Sequence, residues 1–181
     1  MSQTKKIVYA GLCIALGVLL PIAFHSVPNA GSIFLPMHIP VLLCGLICGC
    51  PFGLACGILS PVLSSLITGM PPIGYLPGML CELAVYGVMT GILLRSVRTK
   101  KLVADIYISL IGAMLAGRIV YGILNALIFN VGQYSMSIWL TSAFVTSLPG
   151  IIIQLIVIPV LVFVLERAKL IKSKYPVQQR L

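Results

Sequence analysis

Carboxylates are scarce in this chain: Glu82, Asp105 and Glu166 are the only acidic side chains among 181 residues. There is no paired Asp dyad for general acid–base work. With His25 and His38 the only histidines, a hydrolytic triad would have to draw its acid from Glu82. Neither H-E-x-x-H nor G-x-S-x-G occurs, and no His/Cys pattern has the spacing of a metal site. No G-x-x-x-x-G-K-[ST] loop is present either, so any ATP-driven work must come from partner subunits. The chain is therefore not expected to be an enzyme, and no catalytic residue, metal or cofactor is assigned to it.

Charge of either sign is rare as well. Only 8% of residues are charged and 60% are hydrophobic, with a mean hydropathy of +1.14. Soluble domains carry about 25% charged residues, so this surface cannot face water throughout. The length fits about six spans of roughly 20 residues with short loops. The expected fold is a single all-α integral membrane domain over residues 1–181. Lys5 and Lys6 followed by an apolar run imitate a signal peptide, but no A-x-A-like site closes it, and it reads as a retained first span.

The cations that do occur are placed unevenly. Eleven of twelve fall in three clusters, Lys5/Lys6, Arg95/Arg98/Lys100/Lys101 and Arg167/Lys169/Lys172/Lys174/Arg180. Cytoplasmic flanks of spans accumulate Lys and Arg, so six crossings with both termini and the 95–104 loop cytoplasmic satisfy every cluster. The net charge of +9 is thus membrane topology rather than a nucleic-acid footprint. A multi-pass protein of a bacterial-type plasma membrane is expected.

Apolar periodicity and turn formers place helices at about 7–24, from about 36 or 40 to 48, and at about 52–68, 78–94, 104–127 and 149–166. A short interfacial helix is expected around Trp139. Gly45, Gly49, Gly53 and Gly57 recur every four residues, and Gly87 and Gly91 repeat the spacing. Small residues at i, i+4 let backbones approach where lipid supplies no hydrophobic drive, which is a scaffold signal. Cys13, Cys44, Cys48, Cys50, Cys56 and Cys81 read as small apolar packing residues, since Cys48-x-Cys50 lacks the C-x-x-C spacing and faces the reducing side.

Polar residues inside the spans carry more information. Arg118 is the one cation outside the clusters, and with Tyr121 and Asn125 it occupies one face of the fifth span. Glu82 and Tyr86 share a face of the fourth span, Gln154 lies in the sixth, and His38 lies near the outer end of the second. An unpaired Arg at mid-membrane costs about 2.5–3.5 kcal/mol even on the mild insertion scale, so these groups should face one another or a wet cavity. Two readings follow. Either Glu82 neutralises Arg118 and the rest satisfy hydrogen bonds between helices, or the set lines an outward-opening pocket for a polar, anionic small molecule. His38 fits both.

The stretch Phe34-Leu35-Pro36-Met37-His38-Ile39-Pro40-Val41-Leu42-Leu43, then Ser64-Ser65-Leu66-Ile67-Thr68-Gly69-Met70-Pro71-Pro72, resembles the substrate-binding S components of energy-coupling factor (ECF) vitamin transporters. Glu82-Leu83-Ala84-Val85-Tyr86-Gly87 and Leu148-Pro149-Gly150-Ile151-Ile152-Ile153-Gln154 continue the match. The resemblance implies a vitamin or related micronutrient bound near the outer face, under loops at about 25–37, 69–77 and 128–147. His38, Glu82, Tyr86, Arg118, Tyr121, Asn125 and Gln154 are the expected contacts. It also implies partners: a coupling transmembrane subunit and two ABC ATPases, with the S component tilting to release its ligand inward. The family often docks through Ala-x-x-x-Ala on the first span; here Ala10 is followed by Ile14, and Gly11 with Ala15 supplies the equivalent small surface.

For the ligand, Pro-Met-His-Ile-Pro is most similar to the pantothenate branch. Arg118 fits a carboxylate, because its planar fork can pair bidentately. If Glu82 already neutralises Arg118, a zwitterion or neutral molecule suits the site, so pyridoxine-type vitamins, folate and tetrapyrroles stay open. Outside this class stand a stand-alone permease or channel, which would transport without ATPases, and a structural membrane subunit, which would bind no small molecule tightly.

Overall fold

The computed structural model describes residues 1–24, 29–130, 134–171 and 174–175. His25, expected near the outer surface, lies outside the described residues, as do the basic residues Lys172 and Arg180. Among the described residues the regular structure is helical: α1 (Gln3–Ala23), α2 (Ala30–Phe34), α3 (His38–Cys48), α4 (Cys50–Thr68), α5 (Leu76–Ser96), α6 (Leu102–Leu124), α7 (Met136–Leu140) and α8 (Leu148–Arg167). Six helical segments among the described residues are long and apolar enough to cross a membrane, with α2 and α3 together forming the second. The expected all-α architecture is the observed one.

Local chemistry sets the boundaries. Proline occupies the first turn of α4, α5 and α8, where its missing N–H leaves no carbonyl unserved. α4 stops at Gly69, whose φ of 71° lies in the left-handed region that glycine enters without a Cβ penalty. The first and fifth spans begin a few residues before the expected 7 and 104. α1 starts at Gln3, capped by the Ser2 side chain, and α6 at Leu102, with Asp105 in its first turn.

α3 is the most enclosed span, with Val41, Leu42, Cys44 and Cys48 in the core. Its hairpin with α4 lies backbone to backbone against α5. A Cβ on Gly53 would strike the Gly87 carbonyl, one on Gly87 would strike the backbone of Gly53, and one on Gly45 would meet Thr90 and Gly87. The glycine repeats are thus the surface on which α5 seats. Cys13, Cys44, Cys48 and Cys56 are buried free thiols, and Cys44 Sγ donates to the Phe52 carbonyl at 3.4 Å.

The N-terminus, the α5–α6 turn and the residues after α8 meet at one end of the bundle. Tyr9 Oη donates to the Leu170 carbonyl at 3.1 Å. Lys174 Nζ donates to the Leu94 and Val97 carbonyls at 2.6 and 2.5 Å and pairs with Asp105, which also accepts from Tyr175 and Thr99. The described parts of the three basic clusters therefore mark a single basic end.

Candidate functional site

The polar residues of the spans gather away from the basic end. Glu82 precedes Arg95 by thirteen residues on α5, about 20 Å of helical rise. Arg118 lies sixteen residues past the start of α6, about 24 Å.

Two backbone irregularities bracket this region. The second span breaks at Leu35, a non-glycine residue at φ 51°. Its carbonyl accepts from the His38 amide at 3.0 Å and from Gln154 Nε2 at 3.5 Å. Non-helical backbone at membrane depth persists only where protein or a lined cavity satisfies it, and here α8 supplies the side chain. The fifth span does not stay α-helical to its end but passes into a π-helical turn, Asn125–Phe129, a distortion frequent at functional sites. α7, the short helix expected around Trp139, is likewise followed by a π-helical stretch, Thr141–Thr146.

At the centre is Glu82, 3% exposed. Its Oε1 accepts from Tyr86 Oη at 3.0 Å and pairs with Arg118 Nη1 at 3.1 Å. His38 Nε2 lies 3.9 Å from the other oxygen, too far for a hydrogen bond, and its ring meets Tyr86 edge-on with centroids 5.3 Å apart. Four helices thus converge: α3 gives His38, α5 gives Glu82 and Tyr86, α6 gives Arg118, and α8 reaches His38 through Gln154 and the shared Leu35 carbonyl.

The glycines near Arg118 make room for two rings. Gly117 leaves the space that the Tyr86 ring fills, and Gly122 leaves that of the Trp139 indole. Trp139 Nε1 in turn donates to the Arg118 carbonyl at 3.0 Å. Neither glycine nor Trp139 was singled out from sequence as a site residue, because a slot for a ring from another helix leaves no periodic trace. The Gly117-Arg118 juxtaposition, a small residue beside a membrane cation, was the available signal.

Tyr121 and Asn125 share the face of α6 with Arg118 but take no part in the Glu82 cluster. Asn125 donates to the Tyr121 carbonyl at 2.8 Å and accepts from Asn130 at 2.7 Å, so its amide braces the π-helical turn. Tyr121 is half-buried against Gly78. Gly11 and Ala15 lie apart from all of these, on the outward face of α1, where an added Cβ on Gly11 meets nothing within 4 Å.

What the cluster offers chemically is set by what remains unpaired. The ion pair leaves no net charge at Glu82 and Arg118. Arg118 Nη2, both His38 ring nitrogens and Gln154 Oε1 are buried without a hydrogen-bond partner. Buried polar atoms are seldom left so, and each costs about 1–3 kcal/mol when unmet. The cluster thus pairs its two formal charges with each other and keeps spare donors and an acceptor beside them.

No curated protein and no solved structure matches the chain. Over residues 5–162, however, it matches the family model of the ECF transporter, substrate-specific component. That span contains the six crossing helices, except the first two residues of α1 and the last five of α8, and every residue of the polar cluster. The chain belongs to the family of ECF transporter substrate-specific components.

Proposed function

We propose that the cluster around Glu82 and Arg118 is the substrate site of this ECF component, and that its substrate is a vitamin or related micronutrient, pantothenate first. The observation that carries this is the set of unpartnered atoms, Arg118 Nη2, His38 and Gln154 Oε1, beside an ion pair in the bundle half away from the basic end. Pantothenate has one carboxylate for the free guanidinium nitrogen, and hydroxyl and amide groups for His38 and Gln154. Tyr121 and Asn125, on the face of the span that carries Arg118, are assigned to the same ligand. Pyridoxine-type vitamins, folate and tetrapyrroles are the competing ligands. The test is a thermal-shift and mass-spectrometric screen of the purified protein against water-soluble vitamins. Saturable stabilisation by pantothenate is expected, and stabilisation by another vitamin alone would reassign the ligand.

The basic end is taken as cytoplasmic and the site as opening outward, because the Lys and Arg clusters then obey the positive-inside rule. In a background cleared of native cysteines, a cysteine at Ile73, 82% exposed in the α4–α5 loop, should label from outside. One at Thr99 or Lys100 should label only from inside. The reverse pattern inverts the site.

Transport then needs partners: a coupling transmembrane subunit and two ABC ATPases in the plasma membrane. Ligand uptake by liposomes containing this chain alone would favour a stand-alone permease instead.

A further inference from the structure

At the basic end, α1, the α3–α4 turn and α5 enclose a hollow of about 610 Å³, within the range of about 300–1,000 Å³ typical of small-molecule sites. Lys6, Arg95, Arg98 and Lys174 line it, and among the described residues no carboxylate does. Lys174 is already committed to Asp105 and to the carbonyls that end α5. Lys6 stands over the Phe52 ring at 5.9 Å from its centroid. Among the described residues, none of Lys6, Arg95 and Arg98 has a carboxylate partner. α4 begins in the same wall at Gly49, which has no side chain to cap it, so the positive end of its dipole adds to the field. Gln3 and Tyr175 are also in the wall, and Leu46, Ile47, Phe52 and Leu94 form its apolar part.

Positive-inside topology explains cations at this end but not their convergence, from two helices, on one concave site. We infer that the hollow holds the phosphate headgroup of an anionic lipid, with Arg95, Arg98 and Lys6 on the phosphate and the lipid's apolar part along Ile47 and Phe52. Basic pockets between spans on the cytoplasmic side bind such headgroups, and the cytoplasmic leaflet supplies them. The inference rests on the orientation proposed above, though not on the identity of the vitamin. A free phosphate ester would satisfy the same cations, but it would leave the apolar wall unused.

The test is native mass spectrometry of the full chain in detergent, titrated separately with phosphatidylglycerol, phosphatidylcholine and inorganic phosphate. One phosphatidylglycerol should be retained in preference to phosphatidylcholine. Arg95→Gln/Arg98→Gln should weaken its retention about thirtyfold, equivalent to about 1 kcal/mol for each cation removed. Lys100→Gln/Lys101→Gln removes the same charge outside the hollow and should leave retention nearly unchanged. Lys6→Gln, on a different helix, should also weaken it. Equal retention of both lipids, equal loss in the two double variants, or displacement by inorganic phosphate at matched concentration would each overturn the assignment. Vitamin stabilisation measured on the same samples should not change, so a failure of the vitamin reading and a failure of the lipid site are told apart.

Discussion

Arg118→Ala is expected to weaken ligand binding by roughly 1.5–3 kcal/mol, the range for a hydrogen bond to a charged group. The ion pair complicates the experiment, because removing the guanidinium strands Glu82 in the bundle. Breaking one side of a buried pair costs about 3–5 kcal/mol of stability, so the single variant should melt earlier as well as bind less. The double variant Glu82→Gln/Arg118→Gln separates the two effects. It removes both charges, and its thermal stability should recover most of the loss. Its affinity should not recover, because Arg118 Nη2, the nitrogen that Glu82 leaves free, is the one assigned to the ligand. Arg118→Lys should rescue little, since an ammonium cannot hold Glu82 and a ligand in the planar geometry of the fork. Wild-type affinity in the double variant would mean that the pair only holds α5 to α6.

Much of this arrangement is legible in residue order alone. Six apolar runs, the basic clusters and the glycine repeats each repeat locally, and local repetition is what helical periodicity and backbone approach produce. Glu82 and Tyr86, one turn apart, could be placed on one face, and they are hydrogen-bonded. The pairing of Glu82 with Arg118 was one of two open readings. The structure contains that pair; the pocket reading remains a proposal, resting on the donors the pair leaves unused.

What residue order hides is the contact between distant segments. The break at Leu35 is paired with Gln154, 119 residues away. Lys174 reaches Asp105 across 69 residues and fixes the chain after α8 to the α5–α6 turn. Nothing around Asp105 in the sequence says that it pairs, or with which of the five C-terminal cations. The π-helical turn after α6 is equally silent, because the Asn125–Asn130 bond across it leaves no periodic trace.

The second large effect concerns energy coupling. α1 turns Ala10, Cys13 and Gly17 into the bundle and leaves Val8, Leu12 and Leu19 more than half exposed, with Gly11 and Ala15 between them. A small-x-x-x-small groove on a lipid-facing helix lets another helix approach closely, which suits the coupling subunit. Gly11→Trp and Ala15→Trp would fill that groove while leaving the Glu82 cluster untouched, since an added Cβ at Gly11 meets nothing in the chain itself. Both variants should keep wild-type vitamin stabilisation and lose ATP-dependent uptake in the reconstituted complex, down to the level seen without ATP. Gly17→Leu is the informative contrast, because a Cβ there runs into the Ser60 side chain of α4 at 2.7 Å. It should lower the melting temperature with or without partners. Normal uptake by both tryptophan variants would move the docking surface off α1. Loss of vitamin binding in both would instead make α1 a support of the pocket, since a partner-facing helix has no reason to disturb a site built from α3, α5, α6 and α8.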